Sequence, residues 1–369
     1  MNSIPNGEGF TLTGGKIGVL VLHGFTSTPI AIKPWANFFN QQGFTVSAPL
    51  LPGHGSSWQE LNETTWQDWY KAVEDSFDEI KSKCERVFIA GFSMGGALAL
   101  RLCQIHGNQV EGLILLNTPI HDRRWFMKLV PLAKYLIPSI KKGPTDVAAP
   151  NPPKHAYGRI PLKAFDSLRQ FWRVVERDLY LIDLPIMVAY SINDHAVDPV
   201  NSQTIIDNIF SVDIREVVFE NSYHNVAIDF DSQQLNIESK IFIEDVLSGK
   251  LKRGAEFNES DIVDAQFESI ISGLSLDQSA PTTYLDELGR IEESERFIPP
   301  NPKKIVLDQM QRVAAALFVG SSFYLLLFSI TDFEIFGPWP AILGYLSSAA
   351  TIIWRTARSD DDYEDGASL

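Results

Sequence analysis

The chain has 369 residues, 45% of them hydrophobic, a formal net charge of −15 and two cysteines. That length accommodates a full catalytic domain plus an appendage of roughly 100 residues. The acidic balance, without a basic stripe, argues against a nucleic-acid partner, because a phosphate backbone would be repelled. Cys84 and Cys103 have neither disulfide nor metal-ligand spacing, which argues against a stapled secreted fold and for a reducing compartment.

In chain order, the N-terminal stretch MNSIPNGEGFTLTGG lacks the basic and apolar regions of a signal peptide, so the domain that follows is expected in the cytoplasm. From Lys16 to Leu247 short β-branched runs alternate with stretches of helical period, the pattern of a parallel sheet flanked by helices. Strands are predicted at Gly18–Leu22, Thr45–Ala48, Arg86–Ala90, Gly112–Leu116, Pro185–Tyr190 and Glu216–Phe219. Helices are predicted at Ile30–Gln42, Trp66–Lys83, Gly95–His106 and Ser232–Leu247. The Pro-rich interval of about 118–183 is too long for a simple connection and reads as an inserted cap. Within it, Arg123–Lys142 mixes bulky apolar residues with six basic ones, which suits a packed cap helix or an amphipathic face turned to a lipid surface.

The domain is expected to span 1–250. Beyond it, 251–302 is read as an acidic flexible linker, with eleven acidic and four basic residues between Leu251 and Pro300. Residues 303–369 are read as a two-helix transmembrane hairpin with an acidic tail, its spans at about 313–330 and 336–354. Phe333, Phe336, Trp339 and Trp354 mark the span ends, and Lys303, Lys304, Arg312, Arg355 and Arg358 place both ends in the cytoplasm.

The chemistry centres on Gly91-Phe92-Ser93-Met94-Gly95, a G-x-S-x-G pentapeptide after the apolar run RVFIA and before GALALRL. A serine at the apex of a sharp strand-to-helix turn occupies strained backbone, and flanking glycines let neighbouring main chain approach. Its hydroxyl then stands above the sheet as a nucleophile, with the Met94 amide aimed at a developing oxyanion. His23-Gly24-Phe25 ends an earlier strand, where the Phe25 amide can supply the second oxyanion donor. A serine needs a base, and the base an orienting carboxylate, which in this setting follow in the order acid, then histidine. Of seven histidines only His195 and His224 come late enough, and His224 follows a predicted strand while His195 adjoins the candidate acid. Asp194 comes directly after a strand end and is the expected acid, whereas Asp198, before Pro199, suits a turn or helix cap.

Together with Leu51-Pro52-Gly53-His54-Gly55 and Thr65-Trp66 to Trp69, these motifs resemble those of bacterial carboxylesterases and monoacylglycerol lipases of the α/β-hydrolase superfamily, over about Gly15 to Leu247. The resemblance implies an α/β-hydrolase fold with a cap over an apolar acyl pocket. It implies nucleophile Ser93, acid Asp194, base His224, oxyanion amides at Phe25 and Met94, and neither metal nor organic cofactor. The expected activity is cleavage of a neutral lipid-derived ester at a membrane. An acyltransferase or thioesterase would use the same residues, and an inactive membrane adaptor is the alternative outside enzymes.

Overall fold

The computed structural model describes residues 4, 7–143, 145–254, 309–330 and 338–359. The chain divides into two units, Met1–Ala255 and Glu256–Leu369.

The first unit is built on seven strands: β1 (Phe10–Leu12), β2 (Ile17–Leu22), β3 (Thr45–Ala48), β4 (Arg86–Phe92), β5 (Gly112–Leu116), then, after two short cap strands β6 (Ser139–Lys141) and β7 (Arg159–Pro161), β8 (Ile186–Ser191) and β9 (Ile214–Phe219). The main sheet runs β1-β3-β2-β4-β5-β8-β9. Only the β1–β3 pairing is antiparallel in it, Phe10 facing Ala48. Helices α1 (Lys33–Gln41), α2 (Trp58–Leu61), α3 (Trp66–Lys83), α4 (Met94–His106), α5 (Val130–Ala133), α6 (Leu162–Arg177), α7 (Val200–Asn208) and α8 (Ser232–Leu247) surround it.

Both sheet faces are covered, so the strands are continuous apolar runs with side chains alternating between two cores. On one face Leu20, Leu22, Ile89, Leu113 and Leu115 meet Trp69, Val73 and Phe77 of α3 and Leu98 and Leu102 of α4. On the other, Val19, Val21, Phe88, Ile114 and Met187 meet Trp35 and Phe39 of α1 and Leu235 and Phe242 of α8. At the start of α3 the Asp68 carboxylate accepts from the Thr65 amide at 2.8 Å, satisfying a donor that the first turn would leave free.

Two helix expectations differ from the fold for the same reason. The stretch predicted as Ile30–Gln42 begins as a 3-10 turn, Pro29–Ile32, because Pro34 has no amide to donate back to Ile30 O as a continuous α-helix needs. Between Arg123 and Lys142, Pro131 limits the chain to the turn Trp125–Lys128 and the four residues of α5, and α6 is the cap's long helix.

Most of the expected linker, 255–302, lies outside the described residues, but its first residues do not. Gly254 N donates to Asp183 O at 3.1 Å and Arg253 pairs with Asp183 and donates to Gly107 O at 2.6 Å, so they dock on the first unit.

In the second unit, α9 (Gln309–Ile330) and α10 (Trp339–Ser359) occupy the two expected spans. Asp332 and Glu334 between the two expected spans, residues 303–308 and the acidic tail from 360 onward lie outside the described residues. Ser348 Oγ donates to Ala314 O at 3.0 Å, the Ser322 and Tyr345 hydroxyls are 2.9 Å apart, and the Phe318 and Tyr345 rings meet at 5.2 Å. Among the described residues no helix is long and apolar enough to cross a membrane, so the transmembrane hairpin is not supported. Polar residues interrupt the apolar runs: Ser321, Ser322 and Tyr324 in α9, and Tyr345, Ser347 and Ser348 in α10.

Candidate active site

The sheet reverses its direction of growth at β2: β3 lies on one side and β4 on the other. Such a switch point opens a crevice at the strands' carboxyl ends, where the loops after β2 and β4 diverge. The first loop carries His23-Gly24-Phe25 and the second Ser93.

Ser93 has φ 54° and ψ −124°, a conformation costly for a residue with a side chain, and it is 8% exposed. Its neighbours explain how the turn closes. A Cβ at Gly91 would lie 2.4 Å from Gly95 O, and one at Gly95 would lie 2.3 Å from Leu22 O, so the β4–α4 turn packs its main chain where no side chain fits. The Ser93 amide donates to Leu116 O at 2.9 Å, anchoring the apex to β5.

The imidazole of His224, on the loop after β9, has Nε2 3.1 Å from Ser93 Oγ and Nδ1 2.7 Å from Asp194 Oδ2. A neutral ring with its proton on Nδ1 suits both contacts, donating to the carboxylate and accepting from the hydroxyl. The other Asp194 oxygen accepts from the amides of Ala196 and Val197 at 2.8 Å each, and the side chain is 1% exposed. Asp194 is therefore held on both sides and turned to one imidazole edge. Asp198 accepts from Val200 N at 3.0 Å at the start of α7, as its proline neighbour suggested. His195 points elsewhere, its Nδ1 2.8 Å from Asp146 Oδ1 in the cap.

On the oxyanion side, an added Cβ at Gly24 would fall 3.1 Å from Ser93 Cβ, which puts the loop after β2 against the serine. Met94 is the first residue of α4, whose N-terminus carries partial positive charge. His23 holds the loop from below: its Nδ1–H donates to Gly24 O at 3.0 Å and its Nε2 accepts from Leu51 N at 3.2 Å. Burial pulls His23 down to about 4, which keeps the ring neutral and able to make both bonds. Burial also holds His54, packed edge-on against His23, well below the usual histidine range. Phe25 turns its ring to Trp69 and to Phe165 of the cap, at 5.7 and 6.0 Å, and Phe165 continues to Trp172, so an apolar aromatic layer borders the serine.

Sequence reasoning missed Asn117. It follows β5 with φ 47°, accepts from Ser191 N at 2.8 Å and donates to His224 O at 2.5 Å, linking β5, β8 and the histidine loop. Its only signal was an asparagine at a strand's carboxyl end, a residue that tolerates left-handed backbone. It also passed over Asp229, whose carboxylate accepts from Tyr223 N at 2.9 Å and from Ala148 N and Ala149 N of the cap at 2.8 Å.

A doubly wound sheet with a serine at the strained β4–α4 apex, facing an imidazole and a buried carboxylate, defines an α/β-hydrolase. The profile of the family described as serine aminopeptidase, S33, matches residues 16–231, and the chain belongs to that family. It is similar to a thermostable monoacylglycerol lipase of Bacillus sp. (strain H-257), 29% identical over 246 residues that cover 63% of this chain and 92% of the relative. A carboxylesterase of Bacillus subtilis (strain 168) is 24% identical over 239 residues, covering 64% and 95% of the two chains. Among solved structures, one reported for the metagenome-derived lipolytic enzymes LipS and LipT superposes with a TM-score of 0.64 at 28% identity, covering 66% of this chain and 99% of that one.

Proposed function

We propose that this carboxylic ester hydrolase cleaves monoacylglycerol or a similar lipid-derived ester through an acyl-enzyme on Ser93. The observation that carries the reading is the unbroken hydrogen-bond chain from Ser93 Oγ through His224 to Asp194. Ser93 Oγ attacks the ester carbonyl carbon while His224 Nε2 takes its proton, and Asp194 steadies the imidazolium. The carbonyl electron pair moves onto oxygen, facing the Phe25 and Met94 amides. As the tetrahedral intermediate collapses, His224 returns the proton to the departing alcohol and Ser93 retains the acyl group. Water then attacks the acyl carbon, again losing its proton to His224, and the carboxylic acid leaves as Ser93 regains its proton. The aromatic layer of Phe25, Phe165 and Trp172 and the similarity to a monoacylglycerol lipase support an acyl chain as the bound group.

The test is fatty-acid release from 1-monoacylglycerol by wild type and by Ser93→Ala. Wild type is expected to release acid, and the variant to lose on the order of 10³-fold or more. Near-wild-type turnover by the variant would remove Ser93 from the reaction. Transfer of the acyl group to an added alcohol in preference to water would favour the acyltransferase reading, faster hydrolysis of an acyl thioester than of the oxygen ester the thioesterase reading, and an inactive wild type the adaptor.

A second proposal concerns location: the C-terminal helices hold the hydrolase unit at a lipid surface on the cytoplasmic side. It is supported by the apolar side chains that both units expose. In the cap these include Trp125, Leu132, Tyr135 and Leu136, and on α9 and α10 Phe318, Val319, Leu343 and Leu346. Full-length protein should float with phosphatidylcholine–phosphatidylglycerol vesicles in a density gradient; recovery at the bottom would reject the proposal.

A further inference from the structure

The loop that presents Phe25 continues into Thr26, a β-branched, 1% exposed residue at φ 60°. Left-handed backbone is especially unfavourable for such a residue and persists only where surrounding bonds overdetermine it. Here they come from one excursion of the cap, the segment 139–161. Tyr157 N donates to Thr26 O at 3.0 Å, Ser27 Oγ donates to His155 O at 3.1 Å, and Lys142 Nζ donates to Thr26 Oγ1 at 3.0 Å. The same excursion touches the other two loops of the site, since Asn225 N donates to Asp146 O at 3.3 Å and His195 is bonded to the Asp146 carboxylate.

Among these contacts Lys142 stands out, because among the described residues it has no carboxylate partner, and Thr26 Oγ1 is the acceptor of its side-chain bond. A half-buried cation without a counterion contributes little to folding, so its placement is better explained by what it does for the loop than by stability.

We propose that Lys142 is a positioning residue for ester hydrolysis: its ammonium, through Thr26, holds the loop whose Phe25 amide receives the oxyanion. This rests on the Ser93 reading given above. The bond is charge-assisted and weakens when the amine loses its proton. Burial lowers the ammonium from its usual value near 10.5 to about 8. Activity is therefore expected to fall as pH rises through about 8. Stability moves the other way: the folded state binds fewer protons than the unfolded one between about 8 and 10.5, so the cost of burying the charge is relieved over that window.

The titratable groups around Lys142 do not supply such an alkaline limb. Lys141 and Lys154 of the same excursion are exposed, and Asp146 is engaged with His195. His155 is held below the ordinary histidine range, chiefly by burial and then by the charges of Lys142 and His224, so it stays neutral above pH 7. Beneath the loop, His23 and His54 are lowered further by burial.

The experiment measures kcat, KM and Tm of full-length wild type, Lys142→Met and Lys142→Arg on p-nitrophenyl butyrate from pH 6 to 10. Lys142→Met should lose roughly tenfold in kcat with KM within about twofold, since a small misplacement of a donor suffices for that loss. Its alkaline limb near pH 8 should vanish, and its Tm at pH 7 should equal or exceed that of wild type. Lys142→Arg should recover most of the kcat and carry the limb to higher pH. Wild-type kcat in Lys142→Met, or a kcat loss that follows a falling Tm with the limb still in place, would overturn the proposal. Fluorophosphonate labelling separates the two levels of inference. Label on Ser93 in both variants leaves the parent reading standing whatever Lys142 does, whereas undiminished label on Ser93→Ala would reject the parent reading itself.

Discussion

The two units handle apolar side chains in opposite ways. In the hydrolase unit the large ones are enclosed: Trp35, Trp69, Phe77, Phe88 and Phe242 are fully buried between sheet and helices. Among the described side chains of α9 and α10 the buried ones are Ala314, Ala341, Ser321 and Ser348, while Phe318, Val319, Phe323, Leu343 and Leu346 are exposed. Small residues at the contact let two helices approach closely without burying much apolar area. The first unit is thus stabilised by its own core, whereas the described parts of α9 and α10 present their large apolar side chains outward. Ser93, His224 and Asp194 all belong to the first unit.

The largest effect that would break this division comes from the carboxylates. Asp194→Asn should lower kcat by about 10⁴-fold, because the imidazole loses the acceptor that fixes its tautomer. Asp198→Asn, at a turn outside the hydrogen-bond chain, should cost less than about tenfold by the same reasoning. Steady-state kinetics on p-nitrophenyl butyrate check both, and the reverse order would exchange their roles.

The contrast in burial predicts a stability difference. Phe77→Ala should destabilise the hydrolase unit by about 3–5 kcal/mol in urea unfolding followed by tryptophan fluorescence, because it empties a packed site. Leu346→Ala, 62% exposed, should change the unfolding of the whole chain in detergent-free buffer by less than about 0.5 kcal/mol. A large loss at Leu346 would mean that the helical pair has a core of its own. The smallest effect is expected from removing 256–369: kcat on dissolved p-nitrophenyl butyrate should stay within about twofold, since the proposed tether would act on location and not on Ser93, His224 or Asp194. A large fall would show that the second unit contributes to the site.

What was legible in the sequence follows from how local its cause is. The buried parallel strands announce themselves as β-branched runs, and β3 and β5 begin and end where the pattern does. The glycines around Ser93 were readable because their steric cause lies within five residues. The edge strand β1 was not, since three half-exposed residues carry almost no period-two signal and owe their form to pairing with β3. Helix α7 was missed as well, with few apolar positions to mark it. In the site, Ser93, Asp194 and His224 could be singled out by order and by strand ends. Asn117, Asp229 and Lys142 could not, because each acts on main chain or side chains far away in sequence: Lys142 meets Thr26 across 116 positions. In the C-terminal helices an uncharged run is readable as helix, while its surroundings are not written in its hydropathy.

The central claim, that chemistry proceeds through the Ser93 hydroxyl activated by His224, is tested most directly by mapping a fluorophosphonate adduct by peptide mass spectrometry. One adduct is expected, on the peptide containing Ser93, absent in Ser93→Ala and formed at least about 10³-fold more slowly in His224→Ala. An adduct on another residue, or undiminished labelling of Ser93 without His224, would contradict it.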